Sequence, residues 1–585
     1  MTKSICDFFK PIPFAKRLLG SWFLWCALYK GFSAWFVLPL WIFLLGVAVT
    51  CFAAYHLQKR AAAFSVDDVF FCAGTAVFAV VLTYCYGGKN PYTFVLLVLT
   101  ALFLALYPVL RLQTPLTPPC SKRAVTVCGV VLGLIMFAVI ATTTCLRYRV
   151  FGAPNFDFGL FCNMFHHMRE TGLPLSTSER NQLLSHFAVH ISPIYYLMLP
   201  FYAVFPSPIT LQIGQAVVVA SGMIPLYFLA KRFSLSNKIT LAVLFVYAAH
   251  PMLTAGCFYD LHENCFLTPL LLWLFWCYES GHTRWMFLPL ALILLVKEDA
   301  AVYVAMFAIY LFFGKKDKKR GILLFALAAV YFTAAILLLQ TFGLGAMFGR
   351  YAGILREAKE AGGIVHLFLR DPGYFLEQMV TASDKTAKPL FLLQLLVPFG
   401  LLLWKTKNHS RLLLLLPLLL NLLTEYGYQY NIGFQYNFGV TAFLLYLWVQ
   451  NIAETPKKQS RNPLLFSVAA ACLLYITAVI PRLEGYVKNA IVNYDEHNRM
   501  IAALDTVPDD VSVTASTFLI AHLADRDVIY EDTYRKEPDT EYVVLDNRKA
   551  YREKAQAYQT VCIKAGYRVT LSTNEIIILQ SKSEG

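Results

Sequence analysis

Apolar runs long enough to cross a bilayer as helices recur along most of this chain, from Ala34–Tyr55 to Leu464–Ile480. A spanning helix needs roughly 20 such residues, and inside hydrocarbon the backbone must satisfy its own hydrogen bonds, which leaves helices or closed barrels. Twelve runs qualify as crossing candidates, among them Val69–Tyr86, Tyr92–Leu110, Ala124–Leu146, Gly321–Phe342, Leu390–Trp404 and Leu412–Thr424. A thirteenth stretch, Trp285–Phe313, is too long for one crossing and is interrupted by Lys297-Glu298-Asp299. Three consecutive ionisable residues are costly in lipid, so the expectation there is two short helices whose connection meets water. Only 15% of the 585 residues are charged and 58% are hydrophobic, against about one quarter charged in a soluble domain. A soluble enzyme is excluded, and the fold expected is an all-α polytopic membrane protein of 13 or 14 transmembrane helices.

Charge divides the chain at Pro481. Before it stand 37 Lys+Arg and 19 Asp+Glu, a net +18, and after it 13 and 17, a net −4. With 30 charged residues in 104, the C-terminal part has the composition of a small soluble domain. Its pattern predicts a helix over Asp495–Val507, strands at Val511–Ala515, Val528–Tyr530 and Tyr542–Leu545, a helix over Tyr551–Ala565 closed by Gly566, and a hairpin of Arg568–Leu571 with Glu575–Gln580. That is an α/β domain. The basic excess sits in membrane loops, so it reports topology and not nucleic-acid binding. The fourteen cysteines are scattered without a CxxC pair and imply neither a disulfide framework nor a zinc site. Near the N-terminus, the twelve-residue run Leu18–Tyr29 is flanked by Lys16, Arg17 and Lys30, which fits an interfacial helix better than a signal peptide.

Placing the Lys/Arg clusters in the cytoplasm reconciles seven loops: Lys59/Arg60, Lys122/Arg123, Lys231/Arg232, Arg284, Lys315–Arg320, Lys405/Lys407/Arg411 and Lys457/Lys458/Arg461. The alternation holds only if Phe187–Phe205, broken by His190, Pro193 and Pro200, lies at the outer surface without crossing. The polar, aromatic-rich stretches and the C-terminal domain then share the outer face, where the chemistry is expected. The orientation of the N-terminal segments stays open, because four crossings before Arg147 would put a basic N-terminus outside.

Several outer-face residues could carry chemistry. Asp157, between aromatics in Asn155–Phe161, reads either as a general base or as the N-cap of the following helix. His186 and His190 stand four apart, a spacing compatible with a metal or an anion, and His166 and His167 lie nearby. No third metal ligand is set by spacing, and hydrogen-bonded structural histidines are the alternative. Tyr259-Asp260-Leu261-His262-Glu263 puts two carboxylates and an imidazole in five residues, either an acid/base or cation site or a solvated turn. Lys297 could neutralise a phosphate that Glu298 or Asp299 helps hold, or form a structural ion pair. Arg350 follows a glycine-rich loop and suits a phosphate. The stretch Tyr426–Asn437, with Gln435 and Tyr436, suits sugar stacking and hydroxyl hydrogen bonds, as it would also suit an interfacial aromatic belt.

The motifs NFDFGLF (Asn155–Phe161), IPLYFLAKR (Ile224–Arg232), FYDLHEN (Phe258–Asn264), LLVKEDA (Leu294–Ala300), GFQYNFG (Gly433–Gly439) and AHLADRDVIY (Ala521–Tyr530) together resemble a prokaryotic multi-pass membrane family, the domain of unknown function 2079. The resemblance covers roughly Arg147–Tyr530, and that family in turn looks like the GT-C glycosyltransferases. It implies three parts: residues 1–120 as an N-terminal membrane extension, 121–481 as a GT-C-like transmembrane domain with an outer loop at 147–207, and 482–585 as an extracytoplasmic α/β domain. It further implies a catalytic Asp in the first outer loop, which Asp157 would supply, and a polyprenyl-phosphate sugar as donor. Two positions depart from the pattern. Asp157 is followed by Phe158 where the protein-mannosyltransferase type has a second carboxylate, and Gln435-Tyr436 stands where a His-Tyr pair is expected.

The reading that results is transfer of a sugar from a polyprenyl-phosphate donor to an acceptor on the extracytoplasmic side of the cell membrane, with Asp157 as base. Lys297, Arg350 or a divalent cation near Asp260 and Glu263 would stabilise the departing phosphate. Membrane lipid and the lipid-linked donor are the expected partners, with no nucleic acid. The rivals are a transporter or flippase of lipid-linked sugars, which should carry ionisable features near the midplane of both halves of a repeat, and a non-catalytic membrane scaffold.

Overall fold

The computed structural model describes residues 7–9, 11–32, 39–60, 65–86, 120–343, 346–358, 367, 370–382, 387–534 and 536–582. Among these, six helices are long and apolar enough to cross a membrane: Leu40–Arg60, α1 (Lys122–Arg149), Pro208–Arg232, Asn237–Ala255, Lys318–Phe342 and Arg461–Val492. The protein is thus a membrane protein built on helical spans. The crossing expected at Tyr92–Leu110 lies outside the described residues. The apolar surface of α1, with Val127, Val130, Val131 and Leu134 exposed, is what a lipid-facing helix presents. Ser121 starts that helix by accepting from the Ala124 N–H at 3.0 Å.

Two of the apolar runs beyond Phe258 are broken into shorter pieces. Leu390–Trp404 is a helix over Ala387–Leu396 followed by a 3₁₀ stretch, Val397–Leu403, that bends at Gly400 with φ +57°. Leu412–Thr424 is broken into His409–Leu415 and Leu418–Leu422 around Pro417. Side chains satisfy the carbonyls freed where these segments break. Asn451 donates to the Leu402 and Leu403 carbonyls at 3.1 and 2.8 Å, and Lys388 donates to those of Gln378 and Leu422 at 2.6 and 2.7 Å. At the centre is a helix of Phe438–Glu454 in which every residue from Phe438 to Ile452 is buried. A helix apolar all round belongs inside the bundle.

The basic loops gather at one end of the bundle around Glu279. Its backbone carbonyl accepts from Arg232 at 2.6 Å, and its carboxylate lies 2.6 Å from Lys315 and also accepts from the Tyr446 hydroxyl. At the other end, α2 (Leu160–Thr171) precedes a small hairpin of β1 (Leu175–Ser176) and β2 (Leu184–Ser185). Phe187–Phe205 follows as three short pieces, His186–Ala188, Pro193–Leu197 and Leu199–Val204. None is long enough to cross, as the loop charges require, and the Ile194 N–H is anchored on the Leu295 carbonyl at 2.9 Å. The Lys297–Asp299 break separates α3 (Thr283–Leu294) from α4 (Ala300–Ile309), the two short helices expected there.

The helical part runs past Pro481, where the charge divides, to Val492, and only beyond it does the pattern change. A helix, Tyr494–Leu504, leads into a five-stranded sheet of β3 (Val513–Ala515), β4 (Ile529–Glu531), β5 (Tyr542–Asp546), β6 (Arg568–Ser572) and β7 (Ile576–Gln580), ordered β4-β3-β5-β7-β6. The first three strands are parallel, and β7 runs antiparallel to both β5 and β6. The helix Arg552–Lys564 ends at Gly566, whose φ of +94° suits glycine alone.

Candidate functional site

Nine of the sequence-selected residues converge on one cavity of about 480 Å³ at the end of the bundle opposite the basic loops: Asp157, His186, His190, His262, Glu263, Lys297, Arg350, Gln435 and Tyr436. They come from six separate stretches of chain.

Asp157 owes its position to backbone strain. Its φ of 77° and ψ of −73° are those of the rare γ-turn with positive φ, a conformation costing on the order of 1–3 kcal/mol. Its neighbours enforce it. Asn155 donates to the Ser178 carbonyl at 3.1 Å and to Glu531 at 2.8 Å, its own N–H reaches the Thr517 hydroxyl at 3.2 Å, and Phe158 is fully buried. Gly159, which precedes α2, carries no side-chain cap, so the carboxylate is not spent on the helix end. It faces the cavity with its side chain 29% exposed, its Oδ2 3.4 Å from His262 Nε2.

His262 is buried, and its Nδ1 lies 3.3 Å from the Asp260 carbonyl, which aims Nε2 at Asp157. Burial alone would lower the imidazole's pKa, but the charges of Asp157 and Glu263 outweigh it and hold the ring above its ordinary value. Asp260 itself points away from the cavity. It accepts from Arg147 at 2.9 Å and Gln212 at 2.7 Å, and at φ +72° it pins the turn behind His262. Arg147 also donates to the Tyr486 hydroxyl at 2.9 Å.

Glu263 and Lys297 form a buried pair at 2.8 Å, each side chain 2% exposed. The Tyr195 hydroxyl donates to Glu263 Oε2 at 2.7 Å and accepts from the Glu263 N–H at 3.1 Å. Glu298 also lies outside the cavity lining. It lies 2.9 Å from His190 Nδ1 and accepts from the Ile191 N–H at 3.0 Å, locking the non-crossing segment onto the helix break. His186 and His190 belong to a 3₁₀ turn and the bend after it, with ring centroids 6.2 Å apart. Burial lowers the His186 pKa to about 4, and neither of its ring nitrogens has a partner among the described residues. It is a neutral imidazole facing the cavity.

Arg350 is stacked between Tyr426 and Tyr436, 5.2 and 4.9 Å from their ring centroids. Among the described residues it has no carboxylate partner, so its charge is directed into the cavity. The amide oxygen of Gln435 is buried and has no hydrogen-bond partner among the described residues. Among the lining residues that sequence reading did not single out are Glu179, Arg180, Val189 and Glu425. Burial, against the pull of Arg180, raises the Glu179 carboxyl. Both Glu179 and Glu425 lay in stretches already assigned to the outer face, but no local pattern distinguished them from solvated loop charge. The cavity thus sets carboxylates and three imidazoles against Lys297, Arg180 and Arg350, with aromatic and amide groups beside them. Such a set can take a proton at Asp157 and hold an anion at Arg350 and Lys297.

A family described as "Predicted membrane protein (DUF2079)" matches residues 147–578. No curated protein matches the chain. Among solved structures, the chain is similar to ArnT from Cupriavidus metallidurans bound to undecaprenyl phosphate, at 8% identity and a TM-score of 0.47, over 79% of this chain and 99% of that one.

Proposed function

The chain belongs to the DUF2079 family of predicted membrane proteins, and we propose that it is a membrane glycosyltransferase moving a sugar from a polyprenyl-phosphate donor to a hydroxyl acceptor at the extracytoplasmic face. The observation that carries this reading is the placing, on one cavity, of a strained, His262-facing carboxylate at Asp157 with the Tyr-stacked guanidinium of Arg350 and the ammonium of Lys297.

Asp157 takes the proton of the acceptor hydroxyl as that oxygen attacks the anomeric carbon. The bond from that carbon to the phosphate oxygen breaks, inverting the configuration, and its electrons leave on the polyprenyl phosphate. Arg350 and Lys297 meet the charge that develops there, where fixed donors in a water-poor site are most effective. Tyr426, Tyr436 and Gln435 face the sugar as a stacking surface and a hydrogen-bond acceptor. The C-terminal domain, held on the Asp157 turn through Glu531 and Thr517, covers the acceptor side. Domain limits at 120 and 481 belong to the same proposal.

The test is turnover by the purified protein in lipid nanodiscs, with labelled polyprenyl-phosphate hexoses and membrane extract as acceptor, beside Asp157→Asn. Donor consumption that vanishes in a folded variant supports the reading. Undiminished consumption removes Asp157 from the role, and transbilayer movement of labelled lipid without transfer favours a flippase. A chelator arm asks whether a divalent cation contributes.

A further inference from the structure

The histidine pair His166-His167 lies outside the cavity and has no part in the proposed transfer. Spacing supplied no third ligand, but the fold does, from about 360 residues downstream. On α2, Asn163, His166 and His167 are related by three and four residues and share a face, which lies against the segment Ala524–Asp527 leading into β4. Asn163 donates to the Ala524 and Arg526 carbonyls at 3.2 and 2.8 Å. His166 Nδ1 lies 2.6 Å from Asp525 Oδ1, and its Nε2 lies 3.1 Å from Asp527 Oδ1. His167 Nε2 is 3.1 Å from the Asp527 carbonyl oxygen. One ligand atom from each of His166, His167 and Asp527 falls within 4.8 Å of the others.

We propose that His166, His167 and Asp527 bind a divalent cation of the zinc type, clamping the first outer loop to the C-terminal domain. Three features carry this. The ligand set is two imidazoles and a carboxylate, the donors zinc takes. Asp525 holds the Nδ1 side of His166, which turns Nε2 toward Asp527; a carboxylate on the far nitrogen is how metal-ligating histidines are oriented. Zinc–ligand bonds of about 2.0–2.1 Å in tetrahedral geometry put neighbouring ligand atoms about 3.3 Å apart, and the His166–Asp527 separation of 3.1 Å is already close to that. Rotation of the Asp527 side chain, 84% exposed, closes the remaining distance to His167, and the same exposure gives the ion its entry and a water as fourth ligand. The histidines are only 7% and 6% exposed, so the site is half built into the interface and half open. Leu160, the first residue of α2, lines the main cavity, so a clamp on this helix also fixes the Asp157 turn.

The experiment uses the full-length protein carrying no polyhistidine tag, stripped with chelator, then titrated with Zn²⁺ by calorimetry and with Co²⁺ by visible absorption. One ion per chain and a Zn²⁺-dependent rise in melting temperature are expected of the wild type. Asp527→Asn and His167→Gln, each checked for native size-exclusion and circular-dichroism profiles, should both lose the binding and the thermal shift. Asp525→Asn, which removes the positioning carboxylate and with it the ion pair to Arg169 at 3.1 Å, should weaken binding about 10- to 100-fold. No stoichiometric binding by the wild type, or binding retained in either ligand variant, overturns the proposal.

Discussion

Asp157 has positive φ in a non-glycine residue, a carboxylate left free by an uncapped helix, and an imidazole 3.4 Å away. Strain of this kind persists only where the surroundings over-determine it, and it clusters at active sites. Asparagine tolerates positive φ comparatively well, so Asp157→Asn should keep the turn and the melting temperature while turnover falls about 10²- to 10⁴-fold, the usual worth of a positioned base. His262 allows a second test. Its pKa is raised in the folded protein, so the stability it contributes is complete below about pH 6.5, the ordinary imidazole value, and is lost as pH rises through the folded value. Melting temperature followed from pH 5.5 to 8.5 should fall more steeply in the wild type than in His262→Gln. Parallel profiles would mean that the pair with Asp157 contributes nothing.

At the scale of elements, the break between α3 and α4 shows what a sequence can disclose and what it cannot. Lys297-Glu298-Asp299 announces itself, since three ionisable residues do not sit in lipid without reason, and two short helices follow. Their partners are not announced: Lys297 pairs with Glu263 and Glu298 with His190, contacts between segments 34 and 108 residues apart. The same limit explains why Leu412–Thr424 reads as a crossing. Apolar composition does not mark a broken backbone, and only the fold shows Lys388 and Gln429 donating to the Leu422 and Leu420 carbonyls of this one. The buried pair predicts an asymmetry. Glu263→Gln leaves the Lys297 ammonium unpaired and should destabilise the protein by about 3–5 kcal/mol. Glu263→Gln with Lys297→Met should recover most of that loss in a denaturation series while transfer stays impaired, because the charge facing the donor phosphate is gone.

For the whole molecule, the legible part is the division into a basic end, an opposite end that gathers the polar loops, and a charge-rich C-terminal stretch of mixed strands and helices. The strand and helix sequence after Pro481 was readable because alternation and turn residues are local signals. What sequence could not supply is the docking of that domain on the first outer loop. Asn155, Asn163 and Asn181 each bond to residues between Ala524 and Glu531, and amides in a loop carry no mark of a partner 350 residues or more away. This docking gives the topology a sharp consequence. The outer loop, the cavity and the C-terminal domain must lie on one side, and the cluster around Glu279 and Lys315–Arg320 on the other. In a background where reactive native cysteines are replaced, Lys564→Cys should react with a membrane-impermeant maleimide in intact cells or spheroplasts. Lys319→Cys should react only after permeabilisation. If the two labels exchange sides, the loop charges have been assigned to the wrong compartment and the cavity opens to the cytoplasm, where the donor and acceptor would have to be sought instead. If both react from outside, the even number of crossings implied between Lys319 and the C-terminal domain would replace the odd number that charge placement requires.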